Sequence, residues 1–290
     1  MDAIIKTEGI SHTYSAGTPF EQVGIRSVDF EAKKGEYIGI IGHTGSGKST
    51  FIQHLNGLLK PDSGKIYIGG TDIYSSKEET LRARYRVGLV FQFPEYQLFE
   101  ETVYKDISFG PKNMKLSESE IDERVHEAAS FVGLPEDMLQ KSPFELSGGF
   151  RRRAAIAGVI AMRPEVLILD EPTAGLDPKG RDELMDNIDD YQRAIGATII
   201  IVTHNMEEVA LRASRVSVFE NGEIAMSGTP REIFRHADRL HEMGLGVPKA
   251  AMLANRLRAL GVPLSADIYT TGEIRDALIA LRNGGDSSAS

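Results

Sequence analysis

The chain has 290 residues, of which 41% are hydrophobic, and its 33 Lys and Arg against 42 Asp and Glu give a formal net charge of −9. This composition is typical of a globular protein with one large domain, or one domain and a small appendage. The absence of cysteine excludes disulfides, thiolate metal sites, iron–sulfur clusters and cysteine nucleophiles, and the acidic balance disfavours a broad nucleic-acid surface.

The N-terminal residues do not have the pattern of a signal peptide. It carries Asp2 and Glu8 where a signal peptide has a basic stretch and a long apolar run, so we expect no secretion. No apolar run approaches the ~20 residues that a membrane-spanning helix needs.

The first part of the chain predicts an antiparallel β layer. Antiparallel strands are predicted at residues 4–11, 27–32 and 65–68, and Asn221-Gly222 marks a later hairpin turn.

Short apolar runs predict buried parallel strands. Residues 37–41 form the first and run into a glycine, and residues 50–59 then follow a helical pattern. Further strands of this type are predicted at residues 87–91, 166–169 and 198–202. The predicted fold class is therefore α/β, with a parallel-rich core sheet flanked by the antiparallel layer.

The composition changes after Gly228. Residues 229–232, Thr-Pro-Arg-Glu, form a capping box with proline at the first helical position, which predicts a helix to near Met243. About 60 residues bury little apolar surface alone, so this segment is expected to dock on the main domain or on a partner. Two more short helices are predicted from apolar residues at i, i+4 and i+7, namely Leu253, Leu257 and Leu260, then Ile274, Leu278 and Leu281.

A glycine-rich motif lies between a predicted strand and a predicted helix. Residues 42–50, Gly-His-Thr-Gly-Ser-Gly-Lys-Ser-Thr, match G-x-x-x-x-G-K-[ST]. In such a loop, backbone N–H groups bind phosphate oxygens, Lys48 reaches the β- and γ-phosphates, and Ser49 holds Mg²⁺. The alternative is a glycine-rich turn with an incidental lysine. The predicted nucleotide-binding residues are Gly42, His43, Thr44, Gly45, Ser46, Gly47, Lys48, Ser49 and Thr50.

Two acids follow the apolar run at residues 166–169. Asp170 and Glu171 would lie at the strand end where open α/β sheets bind ligands. Asp170 is predicted to lie at the Mg²⁺, and Glu171 to polarise the water that attacks the γ-phosphate. Alone, such a pair is more often a solvated loop or a helix cap, but the phosphate loop upstream favours the catalytic interpretation.

A second candidate anion site precedes the helical pattern at residues 151–162. Leu146-Ser147-Gly148-Gly149 offers a hydroxyl and glycines that permit close backbone approach. A plain helix-capping turn is the alternative. The arginines at 151–153 oppose the helix dipole, so nearby acids or a phosphate should offset them, unless they form salt bridges on a solvated face.

Six motifs in this order resemble the ATP-binding subunit of ABC transporters, over roughly residues 3–235. They are the phosphate loop, Gln92, Leu-Ser-Gly-Gly, Asp170-Glu171, Ala-Gly-Leu-Asp177 and His204. Residues 91–99, 109–111, 175–180 and 245–249 are similar to the ATPase of energy-coupling factor (ECF) transporters, of the A-prime or CbiO-like type. Such transporters import vitamins or transition-metal ions.

The resemblance implies a domain organisation. Residues 1–230 would form a P-loop ATPase domain of the ABC type, with a helical signature subdomain at about 94–163. Residues 231–284 would form a small helical C-terminal domain that adds to a dimer contact, and residues 285–290 a flexible tail.

The resemblance also implies roles for four further side chains. Tyr14 is similar to the aromatic that stacks on adenine, although it is otherwise an ordinary core or surface tyrosine. Gln92 resembles the glutamine that contacts Mg²⁺ and the attacking water; a polar loop residue is the alternative. Asp177 resembles the residue that couples two sites across a dimer, although aspartate before proline is also a common turn former. His204 resembles the switch histidine, which contacts the γ-phosphate and orients Glu171.

One position departs from the family pattern. In the family dimer, Ser147, Gly148 and Gly149 of one chain close over the ATP of the other, and a glutamine usually follows them, whereas here Phe150 does. Phe150 either weakens the partner's site, because it cannot donate an amide hydrogen bond, or packs at the dimer seam. We therefore expect a heterodimer with a paralogous ATPase chain.

The implied ligands are ATP and Mg²⁺, and the implied partners lie in a membrane. A membrane-embedded coupling subunit would contact the loop at residues 92–99 through the aromatics Phe93, Tyr96 and Phe99. The alternative is that these aromatics pack in the core. A separate membrane subunit would bind the substrate. The chain would then work at the cytoplasmic face of the cell membrane as a peripheral protein, without nucleic acid as a partner.

Two other functions compete with this interpretation. An ABC ATPase of DNA repair or translation usually carries long coiled-coil insertions or two ATPase units in one chain, and neither is present. A nucleotide-sensing regulator would not need turnover. The presence of Lys48, Glu171 and His204 together disfavours it.

Overall fold

The computed structural model describes residues 3–285, so most of the predicted tail, residues 286–290, lies outside the described part of the chain. The strands are β1 (Ala3–Tyr14), β2 (Gln22–Lys33), β3 (Tyr37–Gly42), β4 (Ser63–Ile68), β5 (Thr71–Asp72), β6 (Val87–Val90), β7 (Val166–Asp170), β8 (Thr198–Val202), β9 (Arg215–Glu220) and β10 (Glu223–Gly228). The helices are α1 (Lys48–Leu55), α2 (Lys77–Arg86), α3 (Val103–Asn113), α4 (Glu118–Phe131), α5 (Gly148–Ile160), α6 (Pro178–Ile195), α7 (Met206–Arg212), α8 (Pro230–Arg235), α9 (Ala237–Glu242), α10 (Lys249–Ala259) and α11 (Thr271–Gly285).

The strands form the two predicted sheets. The central sheet has six strands in the order β10-β9-β3-β8-β7-β6, in which β9, β3, β8, β7 and β6 run parallel and β10 is antiparallel to β9. Every residue of β3, β6, β7 and β8 is buried, as their continuous apolar runs predicted. The second sheet, β2-β1-β4-β5, is antiparallel throughout. The predicted α/β fold with an antiparallel layer is confirmed.

Helix α1 lies in the core between the two sheets. Its Phe51 packs against Phe30 of β2, with ring centroids 5.2 Å apart, and against Phe219 of β9, at 5.0 Å. All three side chains are buried. The residues that begin this helix are therefore held by both layers.

Helices α3, α4 and α5 pack on one another beside the opposite face of the central sheet. Ile107, Val125 and Ala154, one from each helix, belong to the same buried cluster as Leu167 and Leu169 of β7. This cluster connects the helix that follows Leu-Ser-Gly-Gly to the strand that carries the two acids.

The predicted capping box and the helix start at Pro230 are confirmed, but the helix is interrupted before Met243, so its predicted continuity is wrong. The backbone of His236 leaves the helical region, with φ −89° and ψ 46°, and separates α8 from α9. The bend places Leu240 and Met243 in one buried cluster with Phe234 and the α7 residues of the main domain. Tertiary packing here overrides the local helical pattern.

The two last predicted helices are present as α10 and α11, but the periodic leucines do not mark the buried face. Leu253 and Leu260 are 46% and 81% exposed, whereas Ala250 and Ala254 are buried. The alanines pack with Ile274 of α11, because their small side chains allow the two helices to approach closely. Over residues 3–285, no helix combines the length and the apolar character that a bilayer crossing requires.

Candidate active site

The phosphate-loop motif forms the turn from β3 into α1. Gly45 and Gly47 have φ of 80° and 103°, values that favour glycine. A Cβ at Gly47 would lie 2.5 Å from the carbonyl oxygen of Gly24. The Ser46 carbonyl oxygen accepts the N–H of Gly222, in the β9–β10 turn, at 2.9 Å. Glycine is therefore required for the loop's shape, and the neighbouring strands hold it in place.

Lys48 opens helix α1 and is buried. Its Nζ donates to the carbonyl oxygens of Gly42 at 2.7 Å and His43 at 2.9 Å. Burial lowers the pKa of Lys48, and the negative charges of Glu171 and Asp170 oppose that shift. The lysine thus places its ammonium against the loop, at the positive end of a helix dipole.

Asp170 ends strand β7 beside the phosphate loop. It is 8% exposed, and its Oδ2 accepts a hydrogen bond from Ser49 Oγ at 3.3 Å. Burial raises the pKa of Asp170, while the bond from Ser49 and the charge of Lys48 lower it. The structure thus brings together two of the three predicted magnesium ligands, Ser49 and Asp170, while the third, Gln92, makes no hydrogen bond to either within residues 3–285.

Glu171 and His204 meet at the ends of the neighbouring strands β7 and β8. Glu171 has a left-handed backbone, with φ 49°, and donates its N–H to the carbonyl oxygen of Val202 at 2.8 Å. Glu171 Oε1 lies 3.4 Å from Nε2 of His204. Burial raises the pKa of Glu171 to about 7, with the charge of Asp170 adding to the effect. Burial also lowers the pKa of His204, as does Lys48.

Tyr14 lies at the end of β1, next to α1. Its hydroxyl is 3.1 Å from Oγ1 of Thr50, and its ring meets that of His12 edge to face, with centroids 4.7 Å apart. Tyr14 is 38% exposed. It therefore has a free aromatic surface near the last residue of the phosphate-loop motif.

The other predicted residues are placed on exposed loops and helix starts. Ser147 is the N-cap of α5 and accepts the N–H of Phe150 at 3.5 Å. Asp177 is the N-cap of α6 and accepts the N–H of Gly180 at 2.7 Å. For residues 3–285, no hydrogen bond joins the side chains of Gln92, Ser147 or Asp177 to the phosphate loop. Ser147 and Asp177 thus cap helices in the single chain, and their roles toward a second chain stay predictions.

Arg152 forms a connection that the sequence did not reveal. It is 3% exposed, and its guanidinium pairs with the Glu95 carboxylate at 2.9 Å. It also donates to the carbonyl oxygens of Pro172, at 3.3 Å, and Ala174. The alternative of salt bridges on a solvated face is wrong for Arg152. This side chain joins the start of α5 to the loop after Gln92 and to the loop after Glu171.

Phe150 and the aromatics of the loop at residues 92–99 differ in burial. Phe150 is half-buried and packs against the helical core of its own chain. Phe93, Tyr96 and Phe99 are 42%, 82% and 61% exposed. The alternative that these three aromatics are core residues is wrong.

Comparison with known proteins agrees with this geometry. The family model described as ABC transporter matches residues 25–174. The "Energy-coupling factor transporter ATP-binding protein EcfA2" of Caldanaerobacter subterraneus subsp. tengcongensis is 52% identical over 280 residues, which are 97% of this chain and 98% of that one. The protein of the same description in Clostridioides difficile is 50% identical over 286 residues, covering 98% and 99% of the two chains.

Solved structures give the same result. The structure of cbiO1 from Clostridium perfringens, described as part of the ABC transporter complex cbiONQ, has a TM-score of 0.75 and 40% identity, and covers 90% of this chain and 99% of that one. A dimeric post-hydrolysis structure of the ATP-binding cassette MJ0796, bound to ADP and Pi, has a TM-score of 0.70 and 28% identity, and covers 78% and 99%.

A phosphate loop between two sheets, with paired acids and a histidine at the neighbouring strand ends, defines an ATPase of the ABC class. The sequence similarity along nearly the full length of both chains identifies a narrower group of proteins than the fold alone does. The chain belongs to the ABC transporter family, among the energy-coupling factor ATP-binding proteins, which are ATPases coupled to transport.

Proposed function

We propose that the chain binds ATP in the loop at residues 42–50 and hydrolyses it with Glu171 as the group that polarises the attacking water. The observation that carries this proposal is the position of Glu171, which directly follows Asp170 at the end of β7 and has its Oε1 3.4 Å from Nε2 of His204. With its pKa raised to about 7, Glu171 exchanges a proton near neutral pH. His204 orients this carboxylate and contacts the γ-phosphate.

We assign Mg²⁺ to Ser49 and Asp170, with Gln92 contacting the ion and the attacking water. The Ser49 hydroxyl and the Asp170 carboxylate are the hard oxygen donors that Mg²⁺ prefers. The described residues contain no group of three or more His, Asp and Glu that holds a metal alone. Shared coordination with phosphate oxygens is the usual arrangement for this ion. When bound, Mg²⁺ neutralises charge on the β- and γ-phosphates.

Tyr14 stacks on the adenine of the bound ATP in this proposal. Its exposed ring is fixed by the contacts to His12 and Thr50, so little rotational freedom is lost on binding. An aromatic face held in advance favours a flat base.

A second ATPase chain completes the site. Ser147, Gly148 and Gly149 of one chain close over the ATP held by the other, and Asp177 couples the two sites. Because Phe150 replaces a hydrogen-bonding side chain, we propose that the partner is a paralogue rather than a second copy. The C-terminal helices, assigned to a domain at residues 231–284, expose Leu253 and Leu260, and this apolar surface supports their part in the dimer contact.

The membrane partner is proposed to dock at the loop at residues 92–99. Exposed aromatics such as Tyr96 and Phe99 favour an amphipathic helix as the ligand. In this proposal the chain works at the cytoplasmic face of the cell membrane, attached through a coupling subunit. A double Tyr96→Glu and Phe99→Glu variant should leave the membrane fraction and keep its basal ATPase rate. The matched control is Phe20→Glu, since Phe20 is 84% exposed in the β1–β2 loop; equal membrane release by the control would contradict the docking site.

The transported substrate is bound by a separate membrane subunit, and we propose that it is a vitamin or another micronutrient, including transition-metal ions. The similar cbiO1 of Clostridium perfringens is part of the ABC transporter complex cbiONQ, which supports a transporter of several subunits. Nucleic acid is not a partner in this proposal.

Glu171→Gln tests the proposed chemistry. The variant should bind ATP with an affinity near that of the wild type, because the phosphate loop is untouched, and should lose nearly all phosphate release. Wild-type turnover by this variant at saturating Mg²⁺ would refute the assignment of the catalytic carboxylate.

A further inference from the structure

A buried carboxylate that has no part in the proposed chemistry lies behind Glu171 and His204. Glu208 of α7 is 7% exposed, and a single oxygen, Oε1, accepts two hydrogen bonds. One comes from Thr173 Oγ1 at 3.1 Å and the other from Asn205 Nδ2 at 3.0 Å. Thr173 and Asn205 belong to different loops, so this one oxygen joins two segments of the chain.

Those two loops carry the residues of the proposed reaction. Thr173 follows Glu171 by two positions, and Asn205 follows His204 directly. The Oε1–Nε2 distance of 3.4 Å between Glu171 and His204 therefore depends on how the two loops are held relative to each other.

The loop after His204 is fixed from both sides. Asn205 Oδ1 accepts the N–H of Glu207 at 3.1 Å and that of Glu208 at 3.4 Å, as the N-cap of α7. Its amide nitrogen donates to Glu208 Oε1. With both ends of the amide bonded, Asn205 has one orientation, and the backbone of His204 is held with it.

A third segment reaches the same carboxylate. Arg181, in the first turns of α6, has its Nε 3.9 Å from Glu208 Oε1. This helix begins after Asp177, the residue proposed to couple two sites. Glu208 thus lies where the loop after Glu171, the loop after His204 and the start of α6 meet.

We infer that Glu208 is a positioning residue for ATP hydrolysis, which fixes the loops of Glu171 and His204 relative to each other through Thr173 and Asn205. It touches no reacting atom. It acts on the arrangement of two catalytic side chains and leaves the phosphate loop, and with it nucleotide affinity, unchanged. This inference rests on the proposed roles of Glu171 and His204.

The test compares kcat, KM and nucleotide affinity in the full chain with its co-purified partners. Glu208→Ala removes both acceptor bonds and should lower kcat on the order of tenfold to a hundredfold, the scale expected when catalytic groups shift by ~1 Å. KM for ATP and the affinity for a non-hydrolysable ATP analogue should stay within about twofold. Glu208→Gln keeps a carbonyl oxygen that accepts the same two bonds, and it should retain most of the activity.

A double-mutant cycle shows whether the bond to Thr173 carries the effect. Thr173→Val keeps the side-chain shape without the hydroxyl and should lower kcat part of the way, while the double variant Thr173→Val, Glu208→Ala should be no slower than Glu208→Ala alone. The matched control is Glu207→Gln, an exposed neighbour on α7 whose carboxylate faces the N–H of Lys249, and it should keep the wild-type kcat.

Three results would overturn the inference: a kcat of Glu208→Ala within twofold of the wild type, a parallel loss of nucleotide affinity, or equal loss in the Gln and Ala variants. If Glu208→Ala does not fold, Thr173→Val decides, because a kcat of that variant within twofold of the wild type overturns the inference. Glu171→Gln is measured alongside them. Wild-type turnover in that variant refutes the proposed chemistry on which this inference rests, whereas lost turnover in Glu171→Gln together with a wild-type kcat in Glu208→Ala refutes the role of Glu208 alone.

Discussion

Because burial disfavours the ionised form of Glu171, we predict that removing its charge stabilises the folded chain. The pKa of this carboxyl rises from an ordinary 4.5 to about 7 in the folded chain, chiefly because of burial. The unfolded chain therefore releases this proton at a lower pH than the folded chain does. The contribution of Glu171 to the unfolding free energy therefore falls as pH rises from about 4.5 to about 7, and the loss is complete above that range. At ~1.36 kcal/mol per pH unit, this loss amounts to about 3 kcal/mol.

Glu171→Gln has no such proton to lose. At pH 8 the variant should be more stable than the wild type by about 3 kcal/mol, and at pH 4.5 the two should be nearly equal. Urea unfolding without nucleotide, at both pH values, measures the difference from the transition midpoints. Glu242→Gln is the matched control, because its carboxylate is largely exposed, and it should show no pH-dependent gain.

The pH dependence decides this prediction. A stability difference of the same size at pH 4.5 and pH 8 would mean that shape and packing, not charge, distinguish the Gln variant. A less stable Gln variant at pH 8 would refute the argument that burial disfavours the ionised Glu171.

Three further predictions concern binding, stability and assembly. Lys48→Ala should abolish ATP binding in an equilibrium assay, because the ammonium is the cation that the loop presents to phosphate, and retained affinity would contradict its role. Arg152→Met leaves the largely buried Glu95 carboxylate without its partner and should lower the unfolding free energy by about 3–5 kcal/mol. Arg193→Met, whose ion pair is exposed, should lower it by less than about 1 kcal/mol. The isolated chain should hydrolyse ATP slowly, and Phe150→Gln should raise that rate but change little when the paralogue is present. Full activity of the isolated chain, unaffected by the substitution, would refute the heterodimer.

The central sheet and the phosphate loop were predictable because their signals are local. Residues 199–202 are apolar without interruption, which specifies a strand covered on both faces, and strand β8 runs from Thr198 to Val202 as predicted. The roles of Gly47 and Lys48 were predictable because a loop that binds phosphate needs glycine for close backbone approach and a cation. The roles of Asp170 and Glu171 were predictable because they directly follow a buried strand.

The remaining features depend on contacts between distant segments. The bend at His236 accompanies the burial of Leu240 in one cluster with residues of α7, and no residue near 236 signals it. Arg152 and Glu95 are 57 residues apart, and their pair exists only when the start of α5 meets the loop after Gln92. Glu208 is likewise an ordinary helix acid in the sequence, and only folding brings it to Thr173, 35 residues away.

Purification of the tagged chain from detergent-solubilised membranes of its own cells tests the central claim most directly. The proteins that accompany it are identified by mass spectrometry, with untagged cells as the control. We predict a second, related ATPase chain together with integral membrane proteins. In the Tyr96→Glu, Phe99→Glu variant the integral membrane proteins should be lost, while the ATPase partner should still accompany the chain. Recovery of the chain with ribosomes or nucleic acid, and without any integral membrane protein, would contradict the account.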